Sequence, residues 1–438
     1  MSRAVFSEEL VAQVVEQFKI TNLAEATIGQ VVLVAQELVK RTGIPFIRMD
    51  QGVPGLLPNK IGLQAEHKAL DSNCAAIYPA AEGVPELKEQ TSRFVKAFIN
   101  IDINPESCIP VTGSVAGSFG AFIALNQREK GKDTVLFIDP GFPIQKSQLA
   151  ILGIGYEQFD IYEYRGQKLR EKLESFLCKG NISTIVYSNP NNPAWICLED
   201  EELKIIGELA TKYDVVVLED LAYFEMDFRK PLGKPFTPPF QVSVANYTDN
   251  YILMLSASKI FSYAGQRIAT LCVSDRLFER RFPDLGARYN GVGVFGPTLI
   301  NAILYMITSG CTHTTQFALA EMFKAACNGE LSFTEDTKEY AHRAKRMKEL
   351  FEENGFYVVY DKDVTEKIGD GFFFTIGYPG LTSGELMREL LYYGISSITL
   401  NTTGSEQHGI RACTSRMTPE MFPILEERLK AFKDDHGN

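Results

Sequence analysis

Tryptophan occurs once and histidine five times in this 438-residue sequence, and its eight cysteines are scattered without a CxxC pair. The histidines form no HExxH motif, so ligands for a catalytic metal are few. The cysteine spacing predicts neither a zinc site nor a disulfide framework, and it favours a reducing compartment. The sequence therefore argues against a metalloenzyme and against a small domain cross-linked by disulfide bonds.

Long hydrophobic runs and stretches rich in Lys and Arg are also missing. No apolar run reaches the length that spans a bilayer, and the first residues lack the apolar segment of a signal peptide. The formal net charge of −11 argues against a nucleic-acid or anionic-membrane partner. With 45% hydrophobic and 23% charged residues, we expect a folded, soluble, cytoplasmic protein.

Seven short apolar or β-branched runs alternate with helical segments between residues 108 and 273. This alternation predicts βαβ units in an α/β fold, with a mostly parallel seven-stranded sheet flanked by helices. We expect the large domain at 60–310 and a smaller α+β domain built from both termini, 1–59 and 311–438. Further helices are expected within 5–43, over 276–287 and 298–309, and in one charged stretch from about 311 to 354.

A buried strand ends in a lysine at residues 251–259. The apolar run Tyr251–Leu255 is followed by Ser256-Ala257-Ser258-Lys259, and Arg267 lies eight residues further on. Hydroxyls, an amine and a guanidinium this close indicate a phosphate beside a lysine of lowered pKa, which can form a Schiff base. An ordinary strand-to-loop junction accounts for the same residues, so both interpretations stay open on this stretch alone.

Five other segments place ligand-binding residue types after predicted strands. Small residues at Val111–Gly117 open a helix whose N-terminus favours an anion. Phe142 offers a flat face, and the two Asn-Pro steps of Ser188–Pro193 predict a rigid turn that carries carboxamides. Asp220 ends a buried strand, where a carboxylate needs a cationic partner, and Arg411 has the fork that suits a carboxylate. Each also has a structural explanation: turn packing, core packing, a helix cap or a surface ion pair.

Together, in this order, these segments resemble the class I/II aminotransferases of pyridoxal-phosphate fold type I, over residues 45–420. The motifs that carry the resemblance are NPNNP, EDLAY and SASK, with an arginine eight residues after the lysine. The residues that match the pattern are Gly52, Tyr78, Ser114, Val115, Ala116, Phe142, Asn192, Asp220, Tyr223, Ser256, Ser258, Lys259, Arg267 and Arg411.

The resemblance implies a pyridoxal 5′-phosphate enzyme that moves an amino group between an amino acid and a 2-oxo acid. Lys259 would hold the cofactor as a Schiff base and transfer the substrate proton, and Asp220 would keep the pyridinium nitrogen protonated. Asn192 and Tyr223 would hydrogen-bond the 3′-oxygen of the cofactor, and Phe142 would stack on its ring. Tyr223 and Asp220 would act with Lys259 in catalysis.

The resemblance also implies the remaining contacts. Arg411 would clamp the substrate carboxylate, with further substrate contacts from Gly52 and Asn192. Tyr78 would reach the phosphate of a neighbouring subunit, which implies a homodimer with shared active sites. The phosphate of the same subunit would be bound by the backbone of Ser114, Val115 and Ala116 together with Ser256, Ser258 and Arg267.

Two departures from the family pattern bear on specificity. The usual Asn-Pro-Thr-Gly is here Asn192-Pro193-Ala194-Trp195, so the sole tryptophan either lines the substrate pocket or packs beside it. The loop at 290–297 has no second arginine, which argues against a dicarboxylate substrate.

Four other functions are alternatives to transamination. A C–S lyase of the same fold also keeps the carboxylate clamp and so remains open. A decarboxylase is disfavoured, because decarboxylation needs the bond to that carboxylate turned out of the cofactor plane, whereas a retained clamp fits cleavage of the Cα–H bond. A pyridoxal-binding transcription regulator would need a DNA-binding domain, and only about 45 residues precede the matching core. A dinucleotide-dependent dehydrogenase is disfavoured because no GxGxxG follows the early strands.

Overall fold

A computed structural model describes residues 3–437. Its strands are β1 Ile47–Arg48, β2 Cys108–Val111, β3 Thr134–Asp139, β4 Gly155–Asp160, β5 Ile182–Ser188, β6 Val216–Asp220, β7 Tyr251–Ser256, β8 Ala269–Val273, β9 Tyr357–Val358, β10 Phe373–Gly377, β11 Ile395–Ser396, β12 Ile398–Thr399 and β13 Ile410–Cys413.

The first eleven helices lie between residues 8 and 289. They are α1 Glu8–Gln17, α2 Ile28–Thr42, α3 Lys60–Asp71, α4 Pro85–Ile99, α5 Ser114–Gln127, α6 Pro143–Leu152, α7 Lys168–Leu177, α8 Asp200–Tyr213, α9 Ala257–Ile260, α10 Asp275–Glu279 and α11 Pro283–Tyr289. The remaining helices are α12 Phe295–Pro297, α13 Tyr305–Thr308, α14 His313–Cys327, α15 Phe333–Thr337, α16 Glu339–Glu353, α17 Ser383–Tyr392 and α18 Met421–His436. Among the described residues, no helix combines the length and the apolar character needed to cross a membrane.

The large sheet has seven strands in the order β2-β8-β7-β6-β5-β3-β4. All neighbours from β7 to β4 pair in parallel, and β8 alone runs against its two neighbours. Every residue of β5, β6 and β7 is buried, as expected for central strands covered by helices on both faces. The predicted α/β class and the mostly parallel seven-stranded sheet are confirmed.

Helix α5 lies close to this sheet because its sequence is rich in small residues. A side chain added at Gly117 would approach Leu271 Cδ2 to 2.9 Å, and one at Gly120 would approach Leu304 Cδ2 to 2.5 Å. The helix therefore packs with almost no gap, which holds its N-terminus at the edge of the sheet where β2 ends.

Both ends of the chain share a second hydrophobic core. Val34 and Leu38 of α2 belong to the same buried cluster as Leu425 and Phe432 of α18. Strand β1 pairs in parallel with β11, and β12, β13, β10 and β9 form an antiparallel sheet in that order. The α+β part built from both termini is present, whereas the domain limits at residues 59/60 and 310/311 stay predictions.

Local departures from the expected helices have identifiable causes. The charged stretch is not one helix, because α14 ends before Gly329, whose φ is +74°, and Ser332 caps α15. The helix expected over 276–287 is interrupted between α10 and α11, where Pro283 opens the second helix. Residues Thr298–Leu304 are π-helical.

Candidate active site

The carboxyl ends of β5, β6 and β7 meet at one edge of the large sheet. Ser188 pairs with Asp220, and Asp220 pairs with Met254, two residues before the end of β7. Strand β8 runs in the opposite direction, so Arg267, just before its first residue, arrives at the same edge. The fold therefore gathers the segments that follow β5, β6 and β7, together with Arg267, at one place, as open α/β sheets commonly do.

Lys259 lies on the short helix α9, directly behind β7. Its Nζ donates a hydrogen bond to the backbone oxygen of Gly52 and lies 5.3 Å from the centre of the Phe372 ring. Burial lowers the pKa of Lys259 to about 8, and the nearby Arg411 and Arg267 guanidinium groups act in the same direction. A substantial fraction of this amine is thus neutral, and nucleophilic, near physiological pH.

Asp220 ends β6 as a buried carboxylate. Its Oδ1 accepts from the backbone N–H of Ala222 at 3.1 Å, and its Oδ2 accepts from Gln145 Nε2 at 3.4 Å. No cation pairs with it among residues 3–437, and burial raises its pKa to about 6. The side chain is suited to a cationic group that arrives with a ligand.

Arg411 is buried on β13 in the smaller sheet. Its Nη2 donates to the backbone oxygen of Asp50 at 2.6 Å, and its Nη1 donates to Asn192 Oδ1 at 3.2 Å. Its Nε has no partner among the described residues, and the Phe373 ring lies 4.5 Å from its Cζ. A buried guanidinium with only neutral oxygen partners is a ready site for an anion.

A second anion-binding position lies at the N-terminus of α5. Gly113 precedes the helix with a φ of +79°, and no side chain caps the first turn. Arg267 lies so close that a Cβ on Gly113 would approach its Nη2 to 2.4 Å. Free helical N–H groups beside a guanidinium suit a phosphate. Ser114, Val115 and Ala116 form this first turn, half-buried, and Ser256 and Ser258 lie at the end of β7 and on α9.

The residues expected around a cofactor ring are also at this edge. Asn192 is fixed by a hydrogen bond from its backbone N–H to Ser188 Oγ at 3.0 Å, and it contacts Arg411 as described. Tyr223 is buried, no hydrogen-bond partner of its hydroxyl lies among the described residues, and burial raises its pKa. Phe142 is half-buried at the start of α6.

Tyr78 does not join this group within one chain. Its side chain is 86% exposed, and it lies beside the exposed Ile77. An exposed tyrosine cannot reach the buried amine of its own subunit without rearrangement, so its expected role depends on a second copy of the chain.

Three neighbours of the site were not anticipated from the sequence. Phe372 and Phe373 lie against Lys259 and Arg411, and Cys413 is buried beside the same two cations. The position of Cys413 could have been inferred, because residues two apart on a strand share a face. The two phenylalanines could not, because their place depends on how distant parts of the chain pair.

Comparison with known proteins identifies the family. The family model for class I and II aminotransferases matches residues 45–429. The chain belongs to this family. It is 27% identical over 231 residues to a probable aspartate aminotransferase of Methanocaldococcus jannaschii, covering 53% of this chain and 58% of that relative. It is 28% identical over 229 residues to the glutamate-pyruvate aminotransferase of Escherichia coli, covering 52% and 53%. The chain thus spans little more than half the length of these curated relatives.

Solved structures of aminotransferases share the fold of this family member over nearly its whole length. An alanine aminotransferase from Pyrococcus furiosus has a TM-score of 0.75 at 20% identity, covering 94% of this chain and 98% of that one. An aspartate aminotransferase from Thermus thermophilus, solved with maleate, has a TM-score of 0.73 at 16% identity, covering 96% and 98%. The two-part architecture is therefore that of the family.

The family's cofactor, pyridoxal 5′-phosphate, fits the residues of this site. Its phosphate matches the uncapped N-terminus of α5 and Arg267, and its ring nitrogen, when protonated, matches the unpaired carboxylate of Asp220. Its aldehyde matches the buried amine of Lys259. These three complementary groups belong to one small molecule, which explains why the chain buries them together.

Proposed function

We propose that this protein is a pyridoxal-phosphate-dependent aminotransferase that moves an amino group between an amino acid and a 2-oxo acid. The observation that carries the proposal is that Lys259 lies near two guanidinium groups, Arg411 and Arg267, with the buried carboxylate of Asp220 at the same sheet edge. None of Arg411, Arg267 and Asp220 forms an ion pair among residues 3–437. Two anion-binding positions near one nucleophilic amine suit a phosphate at one and a substrate carboxylate at the other.

The cofactor, when bound through its aldehyde, withdraws electrons from the substrate Cα and so acidifies its C–H bond. Asp220 supplies the negative charge that keeps a ring nitrogen protonated, which strengthens this withdrawal. Asn192 and Tyr223 present polar groups for the ring oxygen, and Phe142 presents its face. Phosphate binding at the first turn of α5, with Ser256, Ser258 and Arg267, would orient the whole group.

The substrate carboxylate would be held by Arg411, with Asn192 fixing one end of the guanidinium. With the carboxylate held by Arg411, Lys259 Nζ would be the group that takes and returns the Cα proton. The pKa of about 8 suits a base that works near neutral pH. The hydrogen bond that Lys259 Nζ donates to the backbone oxygen of Gly52 must be released or shared when the amine reacts.

We further propose that the protein functions as a homodimer in the cytoplasm. The apolar and aromatic side chains of Tyr78, Ile77 and Leu57 are exposed, at 86%, 58% and 86% of their surface. Burial of these side chains by a second copy would remove exposed apolar surface and bring Tyr78 to the partner's phosphate. All eight cysteines are free thiols, which supports a reducing compartment.

Absorbance spectroscopy with single amino acids tests the proposed activity. The purified protein loaded with pyridoxal phosphate is expected to show the absorption band of a lysine-bound cofactor. One or more amino acids should convert this band to that of the amine form, and a 2-oxo acid should restore it. Substitution of Lys259 by alanine should abolish the band, whereas Lys204→Ala on the exposed face of α8 should leave it unchanged.

Each other outcome contradicts part of the proposal. Absence of the band in the wild-type protein, even with excess pyridoxal phosphate, would exclude the cofactor. A band together with release of pyruvate and ammonia would assign an eliminating lyase. A band that survives in Lys259→Ala would show that a lysine other than Lys259 binds the cofactor.

A further inference from the structure

Trp195, the only tryptophan, adopts a backbone conformation that bulky residues rarely use. Its φ is +63°, in the left-handed region that favours glycine. The turn is closed on both sides of the strained residue, because the N–H of Trp195 donates to the Asn191 oxygen at 3.0 Å and the N–H of Asn191 donates to Ile196 at 2.9 Å. A large side chain at such a position persists only where its surroundings hold it there.

The indole is completely buried, and its own hydrogen-bonding capacity is unused. Trp195 has no exposed surface, and its Nε1 has no partner among the described residues. An unpaired buried donor is unfavourable, so hydrogen bonding does not account for the tryptophan. The shape of the indole and its contacts must account for a tryptophan at this position.

Gly371 provides the space for this ring. A Cβ at that position would approach the indole carbon Cε2 to 2.1 Å, so the backbone of residue 371 lies directly against the ring. Trp195 thus has the conformation that suits a glycine, and a glycine lies where its ring needs room. The two positions are complementary in size.

The other sides of the indole contact two residues of the site. The ring centre of Trp195 lies 5.6 Å from that of Tyr223 and 6.4 Å from that of Phe373, both edge to face. Tyr223 and Phe373 are themselves 5.3 Å apart, and Phe373 lies 4.5 Å from the Arg411 guanidinium. One ring therefore supports both the phenol assigned to the cofactor and the aromatic surface under the carboxylate-binding arginine.

We propose that Trp195 is a positioning residue for the reaction, holding Tyr223 and, through Phe373, Arg411 in their working places. The inference rests on the proposed aminotransferase function. The strained backbone of Trp195 is retained because its indole links the cofactor side of the site to the substrate side. Since the Trp195 side chain has no exposed surface, we infer that its effect is transmitted through the two rings.

Three variants of the cofactor-loaded protein test this inference: Trp195→Leu, Trp195→Phe and, as a control, Phe159→Leu. Phe159 is buried in the same hydrophobic cluster, and its ring contacts Tyr164 and Phe176 rather than the site. For each variant we would measure the thermal midpoint, the pH midpoint of the cofactor band, and kcat and KM for an amino acid donor that converts the wild-type protein.

Trp195→Leu is expected to shift the pH midpoint of the band, because Tyr223 loses its support, and to raise KM for the donor. A displacement of about 1 Å at a reacting site lowers kcat/KM by about 10- to 100-fold. Trp195→Phe, which keeps a ring, should recover part of both effects. Phe159→Leu should lower the thermal midpoint while its band and its KM stay at the wild-type values.

The inference is overturned if Trp195→Leu and Phe159→Leu change the same quantities to the same extent, or if Trp195→Leu keeps the wild-type band and KM. Should Trp195→Leu fail to fold, Trp195→Phe decides by the same criteria. If the wild-type protein shows no cofactor band, the proposed function and this inference are both wrong. If the wild-type protein transaminates but the Trp195 variants are unaffected, only this inference is wrong.

Discussion

Three ionisable side chains of this site, the half-buried Lys259 and the buried Asp220 and Arg411, have no oppositely charged partner among residues 3–437. Burying an uncompensated charge costs several kcal/mol, so a folded chain retains such groups where a ligand compensates them. Glu219, the neighbour of Asp220 on β6, is different. It is buried too, but its Oε2 accepts from Ser243 Oγ at 2.5 Å and from the backbone N–H of Val244 at 3.1 Å.

This contrast assigns different tasks to two adjacent carboxylates. Glu219 accepts both of its hydrogen bonds through Oε2, from the loop before β7, while its Oε1 has no partner among the described residues. The donors to Asp220 are instead the Ala222 N–H, just beyond β6, and Gln145 of α6. Alternation along a strand sends the two side chains to opposite faces, which is why only one of them meets the proposed ligand.

Replacement of Asp220 by asparagine should therefore stabilise the cofactor-free protein while weakening cofactor binding. The pKa of Asp220 rises from 3.8 to about 6 on folding, so its contribution favours folding below pH 4 and is lost as the pH rises through 6. At pH 8, Asp220→Asn should raise the free energy of unfolding by about 2–3 kcal/mol, a gain that should disappear near pH 4. Urea unfolding at both pH values measures this.

Glu219→Gln is the matched control for the cofactor. It removes the neighbouring buried carboxylate, and cofactor affinity should stay unchanged because Glu219 faces Ser243. Equal loss of affinity in the two variants would contradict the assignment of Asp220 to the ring nitrogen. An Asp220→Asn protein that is no more stable than wild type at pH 8 would show that its carboxylate is already compensated.

At the scale of elements, the phosphate position depends on helix α5 and strand β8 together. Gly117 and Gly120 let α5 lie against its neighbours, and the positive φ of Gly113 turns the chain from β2 into the helix. The reversed direction of β8 then brings Arg267 over that turn. The helix supplies N–H groups and β8 supplies the charge, so neither element would form the site alone.

Gly113→Ala should weaken cofactor binding more than its effect on folding explains. The added methyl meets Arg267, and the residue must also keep a φ of +79°. We expect a loss of affinity of about tenfold or more, since a charge-assisted phosphate contact contributes about 1.5–3 kcal/mol. Titration of the cofactor-free protein with pyridoxal phosphate, followed by absorbance, measures the affinity.

The control variant Gly131→Ala separates the effect of backbone strain from the effect of the clash between the methyl added at residue 113 and Arg267. Gly131 has a comparable φ of +86°, is exposed, and has no atom within 4 Å of an added Cβ. Both variants should lose about 1–3 kcal/mol of stability from the positive φ, but only Gly113→Ala should lose affinity. Similar affinities in the two variants would place the phosphate elsewhere.

At the scale of the whole molecule, the site draws on both hydrophobic cores. Arg411 comes from the smaller sheet and reaches Asn192 in the turn after β5, while Gly141 beside Phe142 donates its N–H to Thr403 at 2.8 Å. Tyr360 donates to Asp160 Oδ2 at 2.6 Å, joining the two parts at another point. Relative movement of the parts would therefore change the distance between the carboxylate clamp and the lysine.

A hybrid experiment tests whether the site also draws on a second subunit. Lys259→Ala and Tyr78→Ala proteins are co-expressed with different tags, and complexes carrying both tags are isolated. In a dimer with shared sites, each hybrid contains one site with both wild-type residues, so activity should exceed that of either variant alone. The matched control pairs Lys259→Ala with a Lys259→Ala chain carrying the other tag, which should stay inactive.

Two outcomes would contradict the shared site. A protein that light scattering finds monomeric at working concentration would exclude it. Hybrids no more active than the better of the two variants would show that Tyr78 does not act across an interface.

The amino-acid sequence by itself determined the fold class and the residues worth examining. The βα alternation is a local pattern of hydrophobicity, and each of the motifs SASK, NPNNP and EDLAY is contiguous. The alternation and the motifs can therefore be recognised without knowing which strands pair. Because parallel strands end at a common edge, the sequence also predicted that Asp220, Asn192 and Lys259 would lie together.

Only the tertiary structure decided which of these groups lack partners and what surrounds them. Phe373 meets Arg411, and Trp195 meets Gly371, through contacts between positions far apart in the chain. Likewise, Glu219 and Asp220 are equivalent as sequence and differ only in what faces them. Local patterns specify secondary structure, but desolvation and charge compensation depend on neighbours that long-range packing brings together.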